Sequence, residues 1–273
     1  MFLEYSSNIV HDAEPIKKPI GGNFFTDMIP AYDLNKIKFG IDKPTFERAV
    51  GLYEGRKVTQ FQNVMDGFSS VVIGTKPYRV FVSARHYDQG CCECYLGQND
   101  TLCKHMIAVA IYAVMRGGPF TEEDRKFIDK PICSGQLGEL SKQELVTTKK
   151  SIRSAMKYIK AYVGPSRIWF SYQNSLSEGC NRLSDILSKL PASKQTAGLL
   201  IDMLLRLDKK LCHGGVDDSD GTVGGFIEEV VLMLQEYIKL DSSCIKVFKK
   251  LCSQSTCFGW EEPLVKIFNE SNF

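Results

Sequence analysis

Four side chains in one short stretch have the types and spacing to hold a metal ion: Cys92 and Cys94, then, after eight residues, Cys103 and His105. The stretch from Gly90 to Val114 carries four of the ten cysteines and one of only four histidines. Three thiolates and an imidazole close a tetrahedral zinc site, with Zn–S near ~2.3 Å and Zn–N near ~2.0 Å, and leave no open position for catalysis. One structural Zn2+ per chain is therefore the expected cofactor, held by Cys92, Cys94, Cys103 and His105. Cys92 and Cys94 stand too close in the chain to pair comfortably as a disulfide. A lone nucleophilic cysteine with a histidine base needs one thiol and leaves the Cys-x-Cys spacing without purpose.

The spacing dictates the elements that must position these groups. In extended chain, residues two apart share a face, so Cys92 and Cys94 aim together while Glu93 turns away and Cys91 points opposite to Cys92. On a helix, residues two apart point apart, so Cys103 must precede the first turn and His105 sit on it. The apolar run Met106, Ile107, Val109, Ala110, Ile111, Val114 predicts that helix, to about Arg116. A helix N-terminus also favours thiolate over thiol. Upstream, Thr45–Glu54 reads as a helix with Phe46, Ala49, Val50 and Tyr53 on one face. Val58–Val64, Ser69–Gly74 and Tyr78–Ala84 read as strands separated by turns at Asp66-Gly67 and Gly74–Pro77. They predict a small antiparallel meander that packs against the helix and holds a zinc-bound knuckle. His86, six residues before Cys92, is left spare by four better-spaced ligands.

The CxCx8CxH pattern ahead of an apolar helix, preceded by the helix Phe46–Arg56 and by strands ending in Pro77-Tyr78-Arg79-Val80, resembles the SWIM-type zinc finger. The resemblance covers residues 44–116 and implies the same four zinc ligands. It also implies a role in binding DNA or protein partners, and no enzymatic activity.

The remainder of the chain sets the context. Its 273 residues allow one large or two ordinary domains, and the net charge of +2 announces neither a nucleic-acid nor a membrane partner by itself. The start lacks the pattern of a secretory signal, no apolar run is long enough for a membrane helix, and the thiols suit a reducing compartment. A cytoplasmic location is expected, with nuclear residence open for a eukaryotic source. Residues 1–43, punctuated by Pro15, Pro19, Gly21, Gly22 and Pro30, read as an arm with a short element near Phe24–Phe39, its Phe24, Phe25, Met28, Ile29 and Tyr32 packing on the body; His11 reads as solvated. Residues 117–140 read as a linker with a short helix at Glu122–Ile128, and 141–273 as an all-α bundle or HEAT-like domain. The expected fold class is thus α+β, an N-terminal zinc module followed by helices.

Charge is concentrated locally. From Ser141 to Arg167 seven basic residues accompany one acid, Glu144. A predicted helix Ser141–Val163 carries Leu145, Ile152, Met156, Ile159 and Val163 on one stripe and Lys142, Lys149, Arg153, Lys157 and Lys160 on another. The basic stripe is a candidate phosphate-tracking face, where neutralised phosphates release counterions and make affinity salt-sensitive; the plainer account is the solvated face of a bundle helix. Trp169, Phe170 and Tyr172 have the chemistry to stack on bases, though aromatic residues more often fill a core. Later helices are predicted at Ser171–Leu190, Ser193–Cys212, Gly225–Leu240, Ser243–Ser253 and Pro263–Asn269.

The loop Gly214–Gly221 holds Asp217, Asp218 and Asp220. Placed in a calcium-loop register it lacks ligands at the first and last positions, Val216 and Ile227, so calcium is not expected. Its acids are candidate partner contacts or caps for the next helix; the loop is also similar to acidic glycine loops in bacterial SWIM-containing proteins. Cys133, Cys180, Cys212, Cys244, Cys252 and Cys257 show no second metal-type spacing and read as packed thiols. The expected function is a zinc-dependent recognition module binding nucleic acid, DNA foremost, or assembling on it. The alternative is a protein-interaction scaffold using the helical surface and the Asp217–Asp220 loop. No membrane and no small-molecule substrate are expected as partners.

Overall fold

Two apolar cores, one on either side of a connecting segment, organise the chain. The computed structural model describes residues 28–165 and 169–271. The first core draws on buried residues from Tyr32 to Phe127 and the second on residues from Ile152 to Leu264. Expectations for His11, Phe24 and Phe25, and the charge of Arg167, lie outside the described residues.

The first half opens with α1 (Leu34–Phe39) and α2 (Lys43–Glu54). Asp33 and Asp42 start them, each accepting a hydrogen bond from the free backbone N–H three residues on, at Lys36 and Thr45. Four strands follow in sequence order, all antiparallel: β1 (Val58–Val64), β2 (Gly67–Ile73), β3 (Pro77–Ser83) and β4 (Gly90–Cys92). The expected three-stranded meander is present, extended by one strand. Register places Val80 opposite Cys92 and Phe81 opposite Cys91. A one-turn helix, α3 (Tyr95–Gln98), and the long α4 (Lys104–Met115) complete the unit, followed by the short α5 (Glu122–Arg125).

Helix α4 is buried on nearly every side, with Met106 through Ile111 all at most 3% exposed. It lies between the sheet on one side and α1 and α2 on the other. That arrangement explains why its sequence is apolar all round rather than along one stripe. Phe46, Phe68, Ile37 and Ile107 are fully buried here, so the core is larger than a meander and one helix alone would make. Of the apolar residues expected to anchor the arm, Tyr32 is buried and Met28 packs against the core, but Ile29 is 82% exposed.

The second half is helical: α6 (Lys142–Ala155), α7 (Trp169–Leu187), α8 (Lys194–Cys212), α9 (Thr222–Leu240), a 3-10 helix (Ser242–Leu251) and α10 (Glu262–Glu270). Ser141 with Glu144, and Ser193 with Thr196, close the N-termini of α6 and α8 reciprocally. Leu200, Met203, Leu204 and Leu207 of α8 and Ile227, Val230, Val231 and Leu234 of α9 line the core, with Leu211 and Ile238 partly buried against it. Helix α6 is shorter than expected. The carbonyls of Tyr158, Ile159 and Lys160, which a longer helix would spend on its own N–H groups, instead accept from Ser175 Oγ, Lys210 Nζ and Tyr172 Oη. Ile159 still turns into the core, but Val163 is 85% exposed and belongs to no apolar stripe.

The halves meet where α1 packs against α7. The carboxylate of Glu178, 2% exposed, is paired with both Lys36 of α1 and Arg182 of its own helix. The Arg182 guanidinium lies over the rings of Phe39 and Tyr158, and Asn181 Nδ2 donates to the Phe39 carbonyl.

Candidate metal centre

The end of β4 and the first turns of α3 and α4 bring the four predicted ligands together. Cys92 is the last residue of β4, Cys94 the N-cap of α3, Cys103 the N-cap of α4, and His105 lies on the first turn of α4. All four are buried, and one ligand atom from each lies within 4.8 Å of the others. His105 Nδ1 is 3.8 Å from Cys92 Sγ and 3.9 Å from Cys103 Sγ. A tetrahedral ion with bonds of about 2.3 Å to sulfur and about 2.0 Å to nitrogen would hold such pairs roughly 3.6 Å apart. The cluster is therefore the size of a metal cage, and its donor set can hold a metal ion.

Neighbouring groups orient the ligands. Glu93, between Cys92 and Cys94, faces outward as the alternation requires, and Arg79 on β3 clamps it: its backbone N–H and its Nε both donate to the carboxylate, at 3.0 and 2.7 Å. Those bonds hold the Glu93 carboxyl below the usual carboxylate range. Cys94 Sγ accepts from the Gly97 backbone N–H at 3.4 Å. The Tyr78 ring lies against the His105 imidazole, centroids 4.7 Å apart. A hydrogen bond from Cys92, with further ones from His105 and the Met106 N–H, holds the Cys103 thiol well below its ordinary value, while the bond to Cys103 and burial push Cys92 up. The Met106 N–H is the contribution of the α4 N-terminus, smaller than that of Cys92.

His105 Nε2 is buried with no hydrogen-bond partner among the described residues. The nitrogen facing the sulfurs is Nδ1, so an ion bound there leaves the other ring nitrogen against Gly74. A Cβ at Gly74 would fall 2.9 Å from that nitrogen, and one at Gly97 would fall 2.5 Å from Cys92 Cβ and 2.3 Å from the Cys92 carbonyl. Sequence reasoning missed both glycines and Tyr78. The Cys-x-Cys-x-x-Gly spacing was visible, but the close approach that requires glycine arises only when α3 folds back on β4. Because the Gly97 clash is with backbone, Gly97→Ala is expected to destabilise the metal-loaded fold by about 1–3 kcal/mol and to weaken metal binding in a competition with a chelator. A wild-type melting curve and unchanged competition would show that the α3 turn shifts freely.

The other candidates are dispersed. His86 is exposed and outside the cluster, and Cys91 is exposed on the opposite side of the strand from Cys92. Lys142, Lys149, Arg153, Lys157 and Lys160 are all exposed, but the end of α6 at Ala155 puts the last two beyond the helix. Tyr172 is buried, its hydroxyl donating to the Lys160 carbonyl, and Trp169 Nε1 donates to Asp217 at 3.1 Å. The side chain of Phe170 lies outside the described residues. The acidic loop is tied into the fold: Asp218 accepts from the Val223 and Gly224 N–H groups at the start of α9, and Asp220 from Thr222 N–H. Burial nevertheless raises the Asp218 carboxyl.

One cysteine expectation needs correction. Cys212 and Cys257 are joined as a disulfide with Cα atoms 5.7 Å apart, linking the end of α8 to the segment before α10. Their separation of 45 residues hid the pairing from any reading by local spacing. Beside them Asp208 accepts from Trp260 Nε1 and from the Cys257 N–H. No helix among the described residues is long and apolar enough to cross a membrane. No protein-family profile, no curated protein and no solved structure matches the chain.

Proposed function

We propose that the chain is a zinc-dependent recognition protein of the SWIM type that binds nucleic acid, DNA foremost. Cys92, Cys94, Cys103 and His105 hold one Zn2+, which supplies shape rather than chemistry: three sulfurs and one nitrogen fill a tetrahedral shell. The ion ties the β4 edge to the starts of α3 and α4, so the surface around Arg79, Glu93 and Tyr95 keeps one form. The observation that carries the nucleic-acid reading is the exposed run Lys142, Lys149, Arg153, Lys157 and Lys160, none of which is in an ion pair among the described residues. Unpaired surface cations are the footprint of phosphate binding.

A protein-interaction scaffold is the second reading. Tyr95 and Leu96 on α3 favour it, being 80% and 46% exposed directly beside the metal centre. Titrating zinc-loaded protein against labelled single- and double-stranded DNA across a salt series separates the two. Under the nucleic-acid reading affinity falls by about 10³ or more between ~50 and ~200 mM salt, as for six or more phosphate contacts. It falls further when Lys149, Arg153 and Lys157 are neutralised together. No binding at the lowest salt would retire that reading and leave the scaffold.

A further inference from the structure

A second set of cations, on a different helix from the first, faces α6. Helix α8 carries Arg206, Lys209 and Lys210 at spacings of three and four from Arg206, which puts them on one face, and His213 caps its end. Arg153 near the end of α6 and Lys157 in the turn that follows it sit opposite. Together with Met156 and Gly214 these six side chains line an open groove of about 490 Å³, and no aspartate or glutamate lines it. The acids nearest in the chain are engaged elsewhere. Asp202 pairs with Lys250, and Asp208 is bonded to Trp260 and to the Cys257 N–H.

Concentrating five fixed positive charges without a counter-charge is unfavourable. Burial, and then the neighbouring Arg206 guanidinium, hold the Lys210 ammonium below its ordinary range. Its one hydrogen bond among the described residues goes to the Ile159 carbonyl, at 2.6 Å. The negative end of the α8 dipole accounts for Lys209 and Lys210 in its last turn. It does not account for Arg206, a turn further in, or for Arg153 and Lys157 across the groove.

We infer that the groove between α6 and the last turns of α8 is a track for the phosphodiester backbone of a nucleic-acid strand. The inference rests on the nucleic-acid reading above and adds α8 to the α6 stripe as the second wall. Its floor is the buried Met156 and its walls are the aliphatic stems of lysine and arginine, which suits a strand lying lengthwise with phosphates toward the cationic heads. A membrane surface is the poorer fit. Membrane-binding faces are flat or convex and pair their cations with apolar side chains that insert, whereas this groove is concave and its one apolar residue is 5% exposed.

The test compares Arg206→Ala/Lys209→Ala with Lys246→Ala/Lys249→Ala, which removes the same charge from exposed positions on the 3-10 helix. Binding of labelled single-stranded DNA to full-length, zinc-loaded protein is measured across salt. The groove variant is expected to bind on the order of tenfold more weakly, and its salt slope to fall by about 1.4, roughly 0.7 for each phosphate no longer neutralised on a single strand. The matched variant should change affinity less than about twofold. Equal losses in both variants, or an unchanged slope in the groove variant, overturn the groove while leaving nucleic-acid binding in place. Wild-type protein that binds no DNA at the lowest salt sinks the underlying reading and the groove with it. Sedimentation with phosphatidylserine vesicles that the groove variant alone abolishes, with DNA binding untouched, assigns the groove to lipid and overturns the inference.

Discussion

Replacing Cys103 with serine is expected to take the metal content of the purified chain from one ion to background and to release the segment from Gly90 to Met106 from amide protection. Two features set the size of the effect. Structural zinc sites of this kind carry on the order of 10 kcal/mol of binding free energy that is available to folding. Cys103, the N-cap of α4, takes hydrogen bonds from Cys92, His105 and the Met106 N–H, so its loss removes a thiolate that its surroundings favour. The buried cluster around Phe46, Phe68 and Ile107 should keep most of the sheet and α4 folded. Exchange protection is therefore expected to collapse at β4 and α3, to weaken in the first turn of α4, and to persist in α8 and α9. Chelation of the wild type should reproduce the pattern. Full metal occupancy in the serine variant would remove Cys103 from the site.

The second large effect is expected at Glu178. Its carboxylate is 2% exposed and serves Lys36 and Arg182 at once, in the contact between the two halves. Removing one member of a buried charge group leaves the others without compensation. Glu178→Ala is expected to cost about 3 kcal/mol in urea unfolding, the low end of the ~3–5 kcal/mol for breaking a buried pair. The low end applies because Lys36, 41% exposed, can return to water, whereas Arg182, 21% exposed and set between two rings, cannot do so easily. Glu178→Gln should lose less, since an amide oxygen still accepts. A cost within about 0.5 kcal/mol, the range of ordinary surface changes, would mean that α1 and α7 do not depend on this group.

The Cys/His cluster was legible because its four residues lie close in the chain and their spacing requires a strand end and a helix start. Strands β1 to β3, α2, α8 and α9 were legible through alternation, helical periodicity and capping residues. What escaped reading depends on contacts between distant segments. The end of α6 is set by hydroxyl and ammonium groups of α7 and α8 that claim its next carbonyls. The need for glycine at 74 and 97 comes from the approach of His105 and Cys92. The acids of the Asp217–Asp220 loop look like a surface patch in sequence, yet Asp217 and Asp218 serve Trp169 and the start of α9. Arg206, Lys209 and Lys210 read as the polar face of an amphipathic helix, and only the end of α6 and the turn after it, lying beside α8, make that face one wall of a groove.

The bond between Cys212 and Cys257 has a topological consequence. It converts the chain from Cys212 to Cys257 into a covalent ring that contains α9 and the 3-10 helix, with everything before it as one tail and α10 on the other. Within that ring the backbone is redundant: a single break at any peptide bond, in the acidic loop or elsewhere, opens the ring without dividing the molecule. While the sulfurs stay joined, α10 remains tethered to α8 through two independent strands of covalent bonds; once they are reduced, it hangs from one.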